Sequence, residues 1–194
     1  MESKVKLFGH PLHPMLIVFP LGLLSTALVF DVIHLVTGTG SWAEIAYWMI
    51  VAGIIGGLVA ALAGWAEWTG IPSSTRAKSI GFVHGAGNMI VMGLFIASWI
   101  LREFVTSPEA PGAVAIGLAA GGVALAAITG WLGGELVDRY GVGVHPGANL
   151  DAPSTLSRKP ASSAATPSRA TQAQSGEGRD DDEAERGRRE DHAA

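Results

Sequence analysis

Residues 9–36 read GHPLHPMLIVFPLGLLSTALVFDVIHLV. From Pro14 onward the stretch is apolar almost throughout, broken only by Asp31 and His34 near its end. A helix that crosses the hydrocarbon of a bilayer needs about 20 such residues, and this run supplies them. Its entry is unusual. Two His-Pro pairs, His10-Pro11 and His13-Pro14, stand three residues apart immediately before the run. A residue that precedes proline is biased away from the α conformation. The segment His10–Pro14 is therefore expected to be extended or turned, with Pro14 at the first helical position, where a missing N–H costs nothing. Pro20 falls inside the helix, removes the bond to the Leu16 carbonyl and is expected to kink it. The entry would hold two imidazoles at a defined depth; the plainer reading places both at the lipid headgroups.

Three further stretches match the first in length and apolarity: Ile45–Trp68, Ile80–Leu101 and Gly112–Val137. With Pro14–Val36 they define an all-α fold, an integral membrane four-helix bundle. The first run exceeds the 7–15 apolar residues of a signal peptide and is followed by no clear small-residue cleavage site, so it is expected to be retained. Composition agrees. Mean hydropathy is +0.35, and only 15% of the 194 residues are charged. Six Lys/Arg and eight Asp/Glu serve residues 1–150, whereas seven and nine crowd into residues 151–194. That last segment has one Leu and no aromatic residue. It has too little apolar area to offset its ordering entropy, so it is expected to be a disordered, charged cytoplasmic tail, and His192 within it is expected to be irrelevant to any site. The net charge of −4 gives no basis for nucleic-acid binding. With no Cys, disulfides, thiolate nucleophiles and Cys-ligated clusters are excluded.

Basic residues set the expected orientation. Lys4 and Lys6 precede the first span, Arg76 and Lys78 lie between the second and third, and Arg139, Arg158 and Lys159 follow the fourth. The other two connections contain only Arg102. Positive residues stay cytoplasmic, which places both termini inside. Trp42, Trp48 and Trp99 then mark the outer interface, and Trp65, Trp68 and Trp131 the inner one.

A weak internal similarity joins the second and fourth spans. GGLVAALAGWAEW begins at Gly56 and GGVALAAITGWLGGE at Gly121. Each has Gly-Gly, then Gly-Trp, then Glu, and spans one and three each open near a histidine, His13 and His84. A duplicated hairpin explains this; so does close helix packing through small residues.

Ionisable groups inside a membrane are costly and mark candidate sites. The expected topology gathers His10, His13, His84, Asn88, Glu67, Glu135 and Asp138 at the cytoplasmic end, with His145 close behind. His84 is flanked by Gly81, Gly85 and Gly87, which leave room beside it. Spans one and three are diagonal in an up-down-up-down bundle, so His13 and His84 are candidate axial ligands of one b-type haem, with His10 and Asn88 nearby. Alternatively, His10, His13, His84, Glu67 and Glu135 form a divalent-metal or proton-handling site. At the outer end Asp31 and His34, three residues apart on one helical face, are expected to pair.

GHPLHPMLIVFPLGLL, Asp31, His84 with Asn88, and GWLGGELVDRYGVGV (Gly130–Val144) together resemble the bacterial membrane proteins of domain of unknown function 2231, over about residues 7–145. The resemblance implies a four-helix domain of the bacterial inner membrane and no particular activity. It adds weight to His10, His13, Asp31, His84, Asn88, Gly134 and Glu135. The family's fourth-span motif reads like GGELVYRHGVGV; here Asp138 and Tyr140 stand where its Tyr and His would be, which leaves His145 as a displaced substitute. Three functions follow as expectations. The first is an accessory or structural membrane subunit, for which no motif argues enzymatic activity, working in the lipid bilayer as a homo-oligomer or with a partner. The second is haem-based electron transfer with a membrane redox partner. The third is the metal or proton site. No Ser-His-Asp spacing or P-loop supports hydrolytic or nucleotide chemistry.

Overall fold

A computed structural model of the chain describes residues 1–157 and 159–161. Four long helices make up residues 12–138: α1 (Leu12–Thr37), α2 (Gly40–Gly70), α3 (Arg76–Phe104) and α4 (Ala113–Asp138). Each is long and apolar enough to cross a membrane. The helices overrun most of the apolar stretches. Gly38, with φ 67°, closes α1 in the left-handed conformation, and its N–H bonds the His34 carbonyl. Only Gly38 and Thr39 separate α1 from α2. Thr75 caps α3, its hydroxyl accepting from Lys78 N. At about 1.5 Å per residue, the 31 residues of α2 exceed the ~30 Å hydrocarbon layer, so its ends reach the headgroups.

The start of α1 differs from expectation. The first helical residue is Leu12, not Pro14. His13 therefore lies within the first turn and not at the cap. Pro14, third in the helix, is tolerated because the first four N–H groups of a helix have no internal partner. The His10-Pro11 pair is extended, as anticipated: β2 (His10–Pro11) pairs antiparallel with β1 (Lys6–Leu7). Phe8 and Gly9 connect them, both at positive φ, as a two-residue hairpin turn requires. Residues 12–37 remain one helix across Pro20, which is buried.

α1 packs on α2 and α4, and α3 packs on the same two. This leaves α1 opposite α3 and α2 opposite α4, with Leu24, Ala27, Ala46, Ile50, Val91, Phe95 and Ala119 in the centre. Large apolar side chains such as Phe19, Leu35, Leu62 and Trp131 also face outward, as a lipid-facing surface allows.

Burial reveals a twofold internal repeat. The buried residues of α1 are Pro20, Leu24, Ala27 and Asp31. Seventy-one positions on stand Val91, Phe95, Ser98 and Arg102, all buried on α3. On α2, Ala46, Tyr47, Ile50, Gly53 and Ala60 are buried; 69 positions on, Ala115, Ile116, Ala119, Gly122 and Thr129 are buried on α4. Leu24 packs on Gly53 just as Phe95 packs on Gly122. The two hairpins thus share one packing scheme. Its register differs from the sequence similarity, which matched Gly64 to Gly130; by burial Gly64 corresponds to Gly133, three residues later.

A second compact unit begins at Pro146. Its described part holds a 3-10 turn, Thr155–Ser157, and the Asn149 amide, which donates to the Gly147 and Ala161 carbonyls. The expectation of a disordered tail falls mostly on residues outside those described.

Candidate functional site

The repeat brings two histidines together. His13 Nδ1 donates to the Ala60 carbonyl of α2 at 2.9 Å. His84 Nδ1 donates to the Thr129 carbonyl of α4 at 2.8 Å. Each ring lies on a glycine one turn further along the same helix. A Cβ added to Gly64 would stand 2.8 Å from His13 Cε1, and one added to Gly133 would stand 2.9 Å from His84 Cε1. Only glycine lets α2 and α4 approach the imidazoles so closely. The rings meet across the α1–α3 diagonal, with centroids 6.5 Å apart and planes perpendicular.

Because a carbonyl can only accept, Nδ1 carries a proton on both rings; in a neutral imidazole Nε2 then holds the lone pair. Asn88 supports one side. Its amide donates to the His84 carbonyl at 2.9 Å and stands 3.3 Å from His84 Nε2, while its carbonyl oxygen accepts from Thr129 Oγ1 at 3.0 Å. Thr129 is the counterpart of Ala60, so this extra bond is one point where the two halves differ.

The remaining candidates lie elsewhere. Glu67 receives the N-terminal segment: Ser3 Oγ, Lys4 N and Val5 N all donate to its carboxylate. Glu135 is 3.7 Å from Arg139, one turn on. His145 binds Glu2 Oε1 through Nδ1 at 2.9 Å and has Nε2 3.4 Å from the Gly9 carbonyl. His10 is in β2. Among the described residues no three His, Asp or Glu side chains are grouped to hold a metal ion. Outside the spans, Glu2 is shifted: bonds from Lys6 first, and then from His145, hold its carboxyl below the usual value.

The expected Asp31–His34 pair does not form. Asp31 is taken by Arg102, whose Nη1 and Nη2 donate to both carboxylate oxygens at 2.8 and 2.6 Å. Both side chains are 0% exposed. Arg102 Nε reaches Ser98 Oγ at 3.3 Å, and Ser98 Oγ donates to the Ala115 carbonyl at 2.7 Å. His34 Nδ1 instead donates to the Thr39 carbonyl at 3.0 Å. Beside this pair, Tyr47 donates to Glu103 at 2.6 Å and accepts from Trp99 Nε1 at 3.1 Å. Arg102 and this network escape sequence reading because they border a loop. One signal was present: Asp31 follows His13, and Arg102 follows His84, by 18 residues each, five helical turns.

Four membrane-capable helices, a lipid-facing apolar surface and a polar diagonal define a four-span integral membrane bundle. Within that class the chain belongs to the family described as predicted membrane protein, domain of unknown function 2231, which it matches over residues 9–146. No curated protein and no solved structure matches it.

Proposed function

We propose that the chain is an accessory or structural subunit of the bacterial cytoplasmic membrane, not an enzyme, with both termini on the cytoplasmic side. One observation carries this reading. The polar side chains inside the bundle are used in bonding one helix to another, and among the described residues no buried side-chain nitrogen or oxygen lacks a hydrogen-bond partner. A path for ions or protons is also unsupported, because Leu24, Ile50 and Phe95 fill the core between the imidazoles and the Asp31–Arg102 pair. The orientation is supported by charge. Lys4, Lys6, Arg76, Lys78 and Arg139 flank one end of the bundle, whereas Arg102, near the other end, is neutralised by Asp31. The test is native mass after gentle solubilisation from the source membrane. A defined assembly, with other subunits or with further copies of this chain, is expected. A solitary chain that turns over a substrate overturns the reading.

One observation favours a second reading, a b-type haem between His13 and His84. Metal-bound histidines almost always donate their other ring N–H to a carbonyl or carboxylate, and both rings do so here; Nε2 would be the ligand atom of each, once the Asn88 amide, 3.3 Å from His84 Nε2, turned away. Bound iron would supply one-electron transfer. The packing weighs against it, since α2 at Gly64 and α4 at Gly133 close on the ring edges and would have to part for a macrocycle. The absorption spectrum of protein purified from haem-supplemented cells decides. A Soret band that shifts on reduction and is lost in His84→Ala but kept in His34→Ala establishes haem. A colourless protein removes it. Elemental analysis of the same sample tests the metal alternative built on His10, His13, His84, Glu67 and Glu135.

A further inference from the structure

The segment before α1 is fastened at both of its flanks. At one flank, the Met1 amino group donates to the Gly141 carbonyl at 2.9 Å, and Gly143 N donates to the Met1 carbonyl at 2.8 Å. Glu2 holds His145 in the same loop. These residues follow α4. At the other flank, Ser3, Lys4 N and Val5 N converge on Glu67, near the end of α2. The Lys4 stem lies on Gly70, where an added Cβ would be 2.9 Å from Lys4 Cε. The segment therefore runs from the α4 end to the α2 end and crosses the diagonal that carries His13 and His84. It then turns through the hairpin at Phe8-Gly9 and enters α1 with Leu12 N bonded to the Val5 carbonyl. His13 is the next residue. Glu67 follows Gly64, the glycine under the His13 ring, by three positions.

We infer that residues 1–11 are a strap closed over the end of the bundle that holds His13 and His84, and that its release opens this imidazole pair to water-borne ligands. Ser3 is buried, so the strap seals and does not merely rest on the surface. Its fastenings to the bundle are mainly polar bonds, and a two-stranded hairpin of this size has little stability of its own. Segments held in this way open locally far more often than the protein unfolds. The continuity of strap and α1 means that opening also frees the first turn, on which His13 stands. The inference rests on the geometry of the pair, not on what the pair binds.

Diethyl pyrocarbonate, which acylates neutral imidazole, is the probe, with peptide mass mapping to separate the histidines. The full chain in detergent is compared with Glu67→Gln, which loses an acceptor at the α2 fastening. Acylation of His13 and His84 is expected to rise roughly tenfold, in keeping with the loss of one or two hydrogen bonds, while His34 at the far end keeps its rate. Should Glu67→Gln fail to fold, the double variant Glu2→Ala, His145→Ala loosens the other fastening from outside the helices, and the same direction is expected. Unchanged rates at His13 and His84 overturn the inference. A parallel rise at His34 also overturns it, since the whole bundle would then have loosened.

Discussion

Asp31 and Arg102 occupy equivalent positions in the two halves of one repeat and carry opposite charges. They lie 71 residues apart and bind each other through two parallel bonds, with both side chains fully buried. In a strictly repeated structure the same residue would stand at both places, and like charges would face each other across the diagonal. The pair therefore favours union of unlike hairpins and disfavours two copies of either one, a common use of buried charge.

Breaking the pair from one side should be severe. Arg102→Leu leaves the buried Asp31 carboxyl without its partner, a change that costs about 3–5 kcal/mol for buried pairs. Asp31→Leu strands the guanidinium and should cost a similar amount. The reversed pair, Asp31→Arg with Arg102→Asp, keeps both charges and should recover part of the loss, limited by the missing Ser98 contact. Thermal unfolding in detergent of the singles and the double measures the coupling. Additive losses would mean that the pair does not join the halves.

The glycines under the imidazoles give a second cycle. A methyl group at Gly64 or Gly133 would overlap the His13 or His84 ring, and overpacking of this kind costs about 1–3 kcal/mol. Gly117, which has open space around it, should accept Ala without loss. Combining Gly64→Ala with His13→Ala should relieve the overlap, so that adding the glycine change costs less than it does alone. If Gly64→Ala and Gly117→Ala behave alike in unfolding experiments, the close approach of α2 to His13 is wrong.

These two contacts show where sequence reading stops. The four spans were legible because a length of apolar chain is a local property. Their pairing was not, because core and lipid faces are equally apolar: Leu24 and Phe95 are buried, while Leu62 and Phe19 are exposed, and nothing in their chemistry separates them. Glycine and the rare polar residues carry that information instead. They placed His13 and His84 on a common diagonal. They misled for Asp31, where a neighbour three residues away was preferred to an arginine 71 residues distant. Glu67 is one ligand of the alternative metal site; the partners it has in the fold, two backbone N–H groups and a serine, leave no mark in the sequence.

Acidification should release the strap near Glu2. The carboxyl of Glu2 is held below its ordinary value, mainly by Lys6 and then by His145. A depressed carboxyl contributes order that is fully present above its unfolded value and is lost as pH falls through its folded one. The titration midpoint of Glu2, followed by NMR, should move up in Lys6→Ala by more than in His145→Ala. The reverse order would assign the stronger bond to His145.

Orientation can be read directly because the chain has no Cys. Single cysteines replace Thr39 between α1 and α2, Ser74 between α2 and α3, and Ala110 between α3 and α4. Charge predicts the outcome. Lys4, Lys6, Arg76, Lys78 and Arg139 belong to the end with Ser74, and Lys and Arg are retained on the cytoplasmic side. Near the opposite end the guanidinium of Arg102 is buried against Asp31. A membrane-impermeant maleimide added to intact spheroplasts should label Thr39→Cys and Ala110→Cys. Ser74→Cys should react only after permeabilisation. Labelling of Ser74→Cys in intact spheroplasts, with the other two protected, would invert the bundle and place the strap and the His13–His84 pair on the outer side.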